Sequence, residues 1–528
     1  MAGSEANPTR STGTLARSSA VVALGTGLSR LTGFARTAVL AWALGATALA
    51  EAYNLANNTP NLLYDLVLGG VLSATLVPVV VESMAKEDSD AIDAIATVIS
   101  VILLVATVIG IALAPAIIAL YNVSSPPGQG ASQAEVAVPL LMLFVPQILF
   151  YGLSTVGTAL LNAKRSFAVP AFAPALNNII VICLFLALPR IVGHGTITFD
   201  EVANDTGLLV LIGLGTTAGI VAMTVVLWPA MRHAGIKVHW NFAPRHPAVR
   251  EIGRLSGWTF AYVLVNLVSY GIIQVLANGV GDVTVYAYAW MFFQLPYGLW
   301  TVSVMTAYMP ELAHDWTTGA VDAFRRRLDS GLRLIVVLAL PATVGLVLIA
   351  HPVIRLVFEH GQFSGAAADT TANTVIAFLL GLPGFSLMLY AFRGFYAQRD
   401  TRIPFVINLA ESIVAVAIAL AVVDRFEVVG LAAANSIGFT VFAVVALVWL
   451  HHRVGGFLSA RGLLDLTKII AATAIMGAAV WGIIHVASLG DLATVVLAGV
   501  VGAAVYAGLL FALRIDETQM ILRRLRRS

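Results

Sequence analysis

Two stretches decide how this chain is read: NAKRSFAVPAFAPALNN (162–178) and YAQRDTRIPFVINLAES (396–412). An offset of 234 sets Ala163 on Ala397, Arg165 on Arg399 and Pro170 on Pro404. Each is a polar, arginine-bearing turn that leads through a proline into an apolar run. A looser pair, TPNLLYDL (59–66) and LPYGLWTV (295–302), sets Pro60 on Pro296. The stretches read either as two generic arginine-turn-proline helix entries or as copies in an internal repeat.

The flanking sequence favours the repeat. A bilayer core of about 30 Å needs about 20 apolar residues per helix. Such runs lie at 18–46, 49–82, 92–120, 136–161, 170–189, 206–231, 249–279, 282–311, 328–358, 368–397, 403–423, 428–452, 465–487 and 490–514. They predict an all-α, polytopic membrane protein of about 14 spans. The prolines Pro60 and Pro341 place bends in two of the longer runs. Six runs separate the two copies. An even number preserves orientation, so the repeat is a parallel one, as in transporters built from two like halves. The predicted organisation is a tail (1–17), an N-lobe (18–232), a linker (233–248), a C-lobe (249–453), two further helices (454–514) and a basic tail (515–528).

Composition agrees. Of 528 residues, 59% are hydrophobic and 11% charged, where a soluble chain carries about 25% charged residues. That excludes disordered and nucleic-acid-binding classes. A single cysteine, Cys183, excludes an internal disulfide. The first run holds Arg30 and Arg36 and no clear cleavage site, so it reads as a retained helix. With both termini in the cytoplasm, 25 of the 30 Lys and Arg residues fall in or beside cytoplasmic segments. Only Arg190, Arg355 and Arg425 lie outside, a strong positive-inside bias.

Charges within a membrane need a reason, because each costs roughly 2.5–3.5 kcal/mol at mid-bilayer. Arg30 and Arg36 are about 120° apart on a helix. They read as an anion site suited to phosphate, or as partners of a residue such as Glu51. In the second run Glu51, Asn54, Asn58, Asn61 and Asp65 recur at helical spacing and form one polar stripe. Such a stripe faces water or a bundle interior; the alternatives are a hydrated cavity and asparagine-mediated packing. Asn266 in the seventh run and Gln294 in the eighth are further candidate lining residues, with core packing as the alternative. Asn408 and Glu411, with Asn177 and Asn178 at the equivalent place in the repeat, suggest a site for a coupling cation or proton. Gly25, Ser29 and Gly33, spaced by four, suit close helix packing. No Walker A, HExxH, CxxC or GxSxG pattern occurs. With no catalytic, metal or cofactor machinery in view, a secondary transporter rather than an enzyme is the expected class, driven by membrane potential, Na+ or H+.

At SRLTGFART (29–37) and AEAYNLANNTPNLLYDLVLGGVLSATLVPVVVE (50–82) the chain resembles the MurJ/MviN lipid II flippase family. LPYGLW (295–300), GLRLIVVLALPATVGL (331–346), FEHGQF (358–363) and RGFYAQRDTRIP (393–404) extend the resemblance in consistent order, and GGVLS resembles the actinobacterial branch. The resemblance implies the multidrug/oligosaccharidyl-lipid/polysaccharide exporter fold, with two six-helix lobes and two extra helices bounding a groove for a lipid tail. It implies outward movement of the undecaprenyl-diphosphate-linked peptidoglycan precursor by alternating access across the bacterial cytoplasmic membrane. It maps the family's first-helix arginines onto Arg30 and Arg36 and its second-helix acid onto Glu51. Implied partners are lipid II or a related polyprenyl-diphosphate glycolipid, membrane lipids, and wall-synthesis or division proteins, with no nucleic acid. Alternatives within reach are a flippase for another polyprenyl-linked glycan, a cation-coupled drug exporter, or a non-transporting scaffold. The chain departs from the family pattern at Tyr64–Asp65, Gly69–Gly70, Met291 and Gln294, where relatives carry more charge.

Overall fold

The computed structural model describes residues 8–64, 76–86, 88–193, 195–255, 257–486 and 490–513. Among the described residues the secondary structure is helical throughout, without a strand. The chain packs as two units, Met1–Leu267 and Val268–Ser528.

The first unit holds α1 (Pro8–Leu44), α2 (Ala48–Tyr64), α3 (Val77–Ala85), α4 (Ser89–Tyr121), α5 (Gln129–Phe144), α6 (Gln147–Ala163), α7 (Ala168–Val192), α8 (Phe199–Asn204), α9 (Thr206–Val225), α10 (Leu227–His233) and α11 (Pro247–Leu255). The division between the units falls inside α12 (Gly257–Gly279). The second unit continues with α13 (Val283–Pro296), α14 (Val302–Thr317), α15 (Val321–Leu348), α16 (Ala350–Phe358), α17 (Gly365–Leu380), α18 (Leu382–Ala397), α19 (Arg402–Arg453), α20 (Ala460–Val486) and α21 (Asp491–Ala512). Among the described residues nine helical segments are long and apolar enough to cross a membrane, ten if the bent pair α17–α18 is one span. One of the nine, α19, covers two predicted runs and breaks between them at Glu427 (φ 48°). Among the described helices α1 does not qualify; it carries Arg30, Arg36 and several hydroxyls. The run at 328–358 breaks at Ile349, eight residues beyond Pro341, where α15 ends and α16 begins.

The repeat is legible in backbone detail. Arg165 and Arg399 both have positive φ, 58° and 59°. Ser166 N–H donates to Leu161 O and Asp400 N–H to Phe395 O, while the two arginine N–H groups reach Asn162 O and Tyr396 O. This is a Schellman-type helix end with arginine where glycine is usual. The flanking helices end at Ala163 and Ala397 and restart at Ala168 and Arg402, each pair 234 apart.

Further copies lie deeper. The α5–α6 span breaks at Val145–Pro146 and the α17–α18 span at Gly381, with a bend of 41° in the latter. Prolines at or just after the breaks remove N–H donors and free carbonyls. In a membrane these need partners. Thr217 of α9 donates its hydroxyl to Leu143 O, and Ser436 of α19 donates to Ala377 O. Two residues beyond each hydroxyl stands a glycine, Gly219 and Gly438, pressed against Asn177 and Glu411 respectively. Unit 1 thus has an amide where unit 2 has a carboxylate.

Candidate functional site

In unit 1 the site begins with α1 and its packing on α7. A Cβ added to Gly25 would lie 2.6 Å from Ala171 Cβ, so the helices touch at backbone distance, as the small-residue spacing predicts. Asn178 Nδ2 donates to Ser29 O and to Thr32 Oγ1, both at 3.1 Å. At about 100° per residue, Arg36 projects within about 20° of Ser29, on this packed face, while Arg30 projects roughly 100° away on the flank. The structure agrees: Arg30 is exposed and Arg36 half-buried. Arg36 Nε is fully buried and has no hydrogen-bond partner among the described residues. A buried guanidinium donor without a protein acceptor is costly, which makes Arg36 a candidate ligand for an anion.

The α2 stripe divides. Tyr53 is enclosed by Phe144 and Phe185, edge-on to both rings, and its hydroxyl lies 3.2 Å from Thr216 Oγ1. This anchors one face of α2 in the unit and carries Glu51 (7% exposed) and Asn54 (6%) into the interior. Asn57, Asn58 and Asn61 are half-buried. Asn58 Nδ2 is buried without a partner among the described residues, and Asn61 Nδ2 donates to Asn57 O. Asp65 lies outside the described residues. Asn266 is exposed and turns its Nδ2 back onto Tyr262 O of its own helix.

In unit 2, Gln294 is half-buried on α13, one turn before a π-helical turn at Tyr297–Thr301 that follows from Pro296. Asn408 (2%) and Glu411 (5%) are buried on the same face of α19. Ser412 Oγ donates to Glu411 Oε2 at 3.4 Å. Glu411 Oε1 and Asn408 Nδ2 have no partner among the described residues. Oε1 abuts Gly438, where an added Cβ would lie 2.8 Å from it. The glycine leaves room beside a carboxylate oxygen in an otherwise closed helix contact.

Two further polar groups stand here, the first including Tyr270 and Gln274, which the residue pattern sets with Asn266 on one side of the seventh run. Asn435 Nδ2 donates to the Tyr286 hydroxyl, and Gln274 Nε2 to the Tyr270 hydroxyl, the two tyrosine rings being 6.4 Å apart. The second is a buried charge cluster. Arg333 Nη1 is 3.5 Å from Asp329 Oδ2 and 4.0 Å from Asp465 Oδ2, and Lys468 Nζ is 2.9 Å from Asp465 Oδ1. Its signal was Arg333 four residues after Asp329, inside an apolar run.

The family described as lipid II flippase MurJ matches residues 40–501. A probable lipid II flippase MurJ of Haemophilus influenzae is 28% identical over 475 residues, covering 86% of this chain and 90% of the relative. A lipid II flippase MurJ of Burkholderia cenocepacia is 29% identical over 397 residues, covering 73% and 74%. The solved structure of a lipid II flippase MurJ in an inward closed conformation matches with a TM-score of 0.76 at 21% identity, over 94% of this chain and 99% of that one. An inward-facing multidrug resistance MATE family transporter of the MOP superfamily matches with a TM-score of 0.66 at 14% identity, over 80% and 94%. The structural likenesses speak for the exporter fold, and the family match runs through both arginine turns and both units. The chain belongs to the MurJ lipid II flippase family.

Proposed function

We propose that this multi-pass membrane protein moves lipid II from the inner to the outer leaflet of the bacterial cytoplasmic membrane by alternating access. The observation that carries the reading is the pair of guanidiniums on α1: Arg36 Nε is buried with no protein acceptor among the described residues, and Arg30 is exposed on the flank of the same helix, six residues before it. Together they suit a diphosphate, whose oxygens accept from planar guanidinium donors. Asn58 and Asn61 supply neutral donors to a sugar headgroup without adding charge. The basic excess on one side of the spans supports cytoplasmic termini.

Glu411 is the proposed seat of a coupling proton or Na+. Its free Oε1 beside Gly438, with Asn408 and Ser412 near, offers oxygen ligation or a protonation site. Export of an anion is favoured by an inside-negative potential, at about 2.3 kcal/mol per charge per 100 mV. The test is lipid II translocation in proteoliposomes. Arg30→Ala and Arg36→Ala should each abolish flipping while the purified protein keeps its thermal stability, and Arg30→Lys should retain part. Wild-type rates in both alanine variants would overturn the assignment.

A further inference from the structure

A feature left unused by this reading lies in unit 1, away from α1 and α2. A cavity of about 840 Å³ opens between α4, α6, α9, α10 and the segment 236–240, a size within the roughly 300–1,000 Å³ usual for ligand sites. Its wall is apolar, with Phe150, Leu153 and Leu160 of α6. Its rim is basic, with Arg232, Lys237 and His239. Exposed Trp228 and Trp240 flank it, the residues that favour a membrane–water boundary.

The rim is held in place. His239 N–H donates to Asp93 Oδ1 at 2.9 Å and Asn241 N–H to Thr97 Oγ1 at 3.0 Å, so the segment after α10 is strapped to α4 through two buried side chains. His239 Nδ1 is 3.4 Å from Asp93 Oδ2. Arg232 lies 5.3 Å over the Trp228 ring. Arg232 and Lys237 make no ion pair among the described residues, so they leave the rim cationic.

We infer that this cavity is a binding site for an anionic glycerophospholipid, with an acyl chain along α6 and the phosphate on Arg232 and Lys237. Charge complementarity at the rim selects the headgroup, since basic pockets between membrane helices bind anionic lipids. The apolar wall selects a lipid over a free anion. The site is separate from the arginines of α1, so its failure would leave the flippase reading untouched.

The test is native mass spectrometry of the full chain in detergent, with phosphatidylglycerol and phosphatidylcholine of equal chain length. Phosphatidylglycerol should be retained about tenfold more tightly. Arg232→Ala/Lys237→Ala should erase that preference, while Arg250→Ala/Arg254→Ala, an equal charge loss outside the cavity, should keep it. Leu153→Trp should expel the lipid with both charges intact, its folding checked by thermal unfolding. The inference is overturned if the preference survives loss of Arg232 and Lys237, if both double variants lose it equally, or if glycerol phosphate alone competes as well as the lipid.

Discussion

Removing the Asp329 carboxylate should loosen α20 from the second unit. Asp329 of α15 receives the Ser459 hydroxyl at 3.0 Å and faces Arg333 at 3.5 Å; Arg333 also faces Asp465 of α20 at 4.0 Å. Asp329 and Asp465 are 6% and 2% exposed and Arg333 is 9% exposed, so water screens little. At an effective dielectric of about 20, the two Arg333 contacts correspond to about 5 and about 4 kcal/mol of attraction before desolvation. In wild type two carboxylates balance Arg333 and Lys468. Asp329→Leu leaves two cations sharing Asp465. Uncompensated buried charge costs about 3–5 kcal/mol, and that is the loss expected here. Asp329→Leu/Arg333→Met removes both members and leaves the Asp465–Lys468 pair neutral, so it should recover most of the loss. The assay is denaturant unfolding of the detergent-solubilised protein, with limited proteolysis of the 454–459 connection as a local readout. A loss below about 1 kcal/mol in the single variant, or a double variant as unstable as the single, would refute the cluster as the tie between α15 and α20.

Three other outcomes are expected. Glu411→Gln should abolish the dependence of transport on pH or Na+ while lipid II still binds; a wild-type ion dependence would remove Glu411 from coupling. Burial, and secondarily Glu427, raises Asp282, in the turn between α12 and α13, from 3.8 to about 6. A raised carboxyl contributes stability that is complete below about pH 4 and lost as pH rises through about 6. Asp282→Asn should therefore flatten the fall in unfolding midpoint between pH 4 and 7, and an unchanged profile would count against it. Gly25→Ala should cost about 1–3 kcal/mol through overpacking on Ala171, whereas Gly27→Ala, whose Cβ meets nothing within 4 Å, should cost nothing by this route. Equal thermal midpoints for the two would show that α1 and α7 do not pack so closely.

The apolar runs and the arginine turns could be read from residues alone because each is a local property. A run of about 20 apolar side chains has one low-energy place, the bilayer. A turn after a helix fixes its own hydrogen bonds within six residues, which is why the turns at Arg165 and Arg399 share their positive φ and their two closing backbone hydrogen bonds. The four-residue spacing of Gly25, Ser29 and Gly33 likewise predicted a close contact, since small residues at that spacing permit little else. The α2 stripe was only half legible. Helical spacing put Glu51, Asn54, Asn58 and Asn61 on one face, but the anchoring of Tyr53 by Phe144, Phe185 and Thr216 decided how deep that face sits.

What the tertiary structure decided is which polar atoms are left without partners. Composition marks Arg36, Asn408 and Glu411 as expensive in a membrane. It cannot say whether a neighbour from a distant helix satisfies them, as Ser29 and Thr32 satisfy Asn178, or whether a glycine stands there instead, as Gly438 does beside Glu411. The same holds for Arg333, whose neutralising Asp465 comes from another helix. Membrane spanning follows from transfer free energies that are nearly additive along the chain. Partnering depends on distances between segments remote in sequence, and those are fixed only when the helices pack.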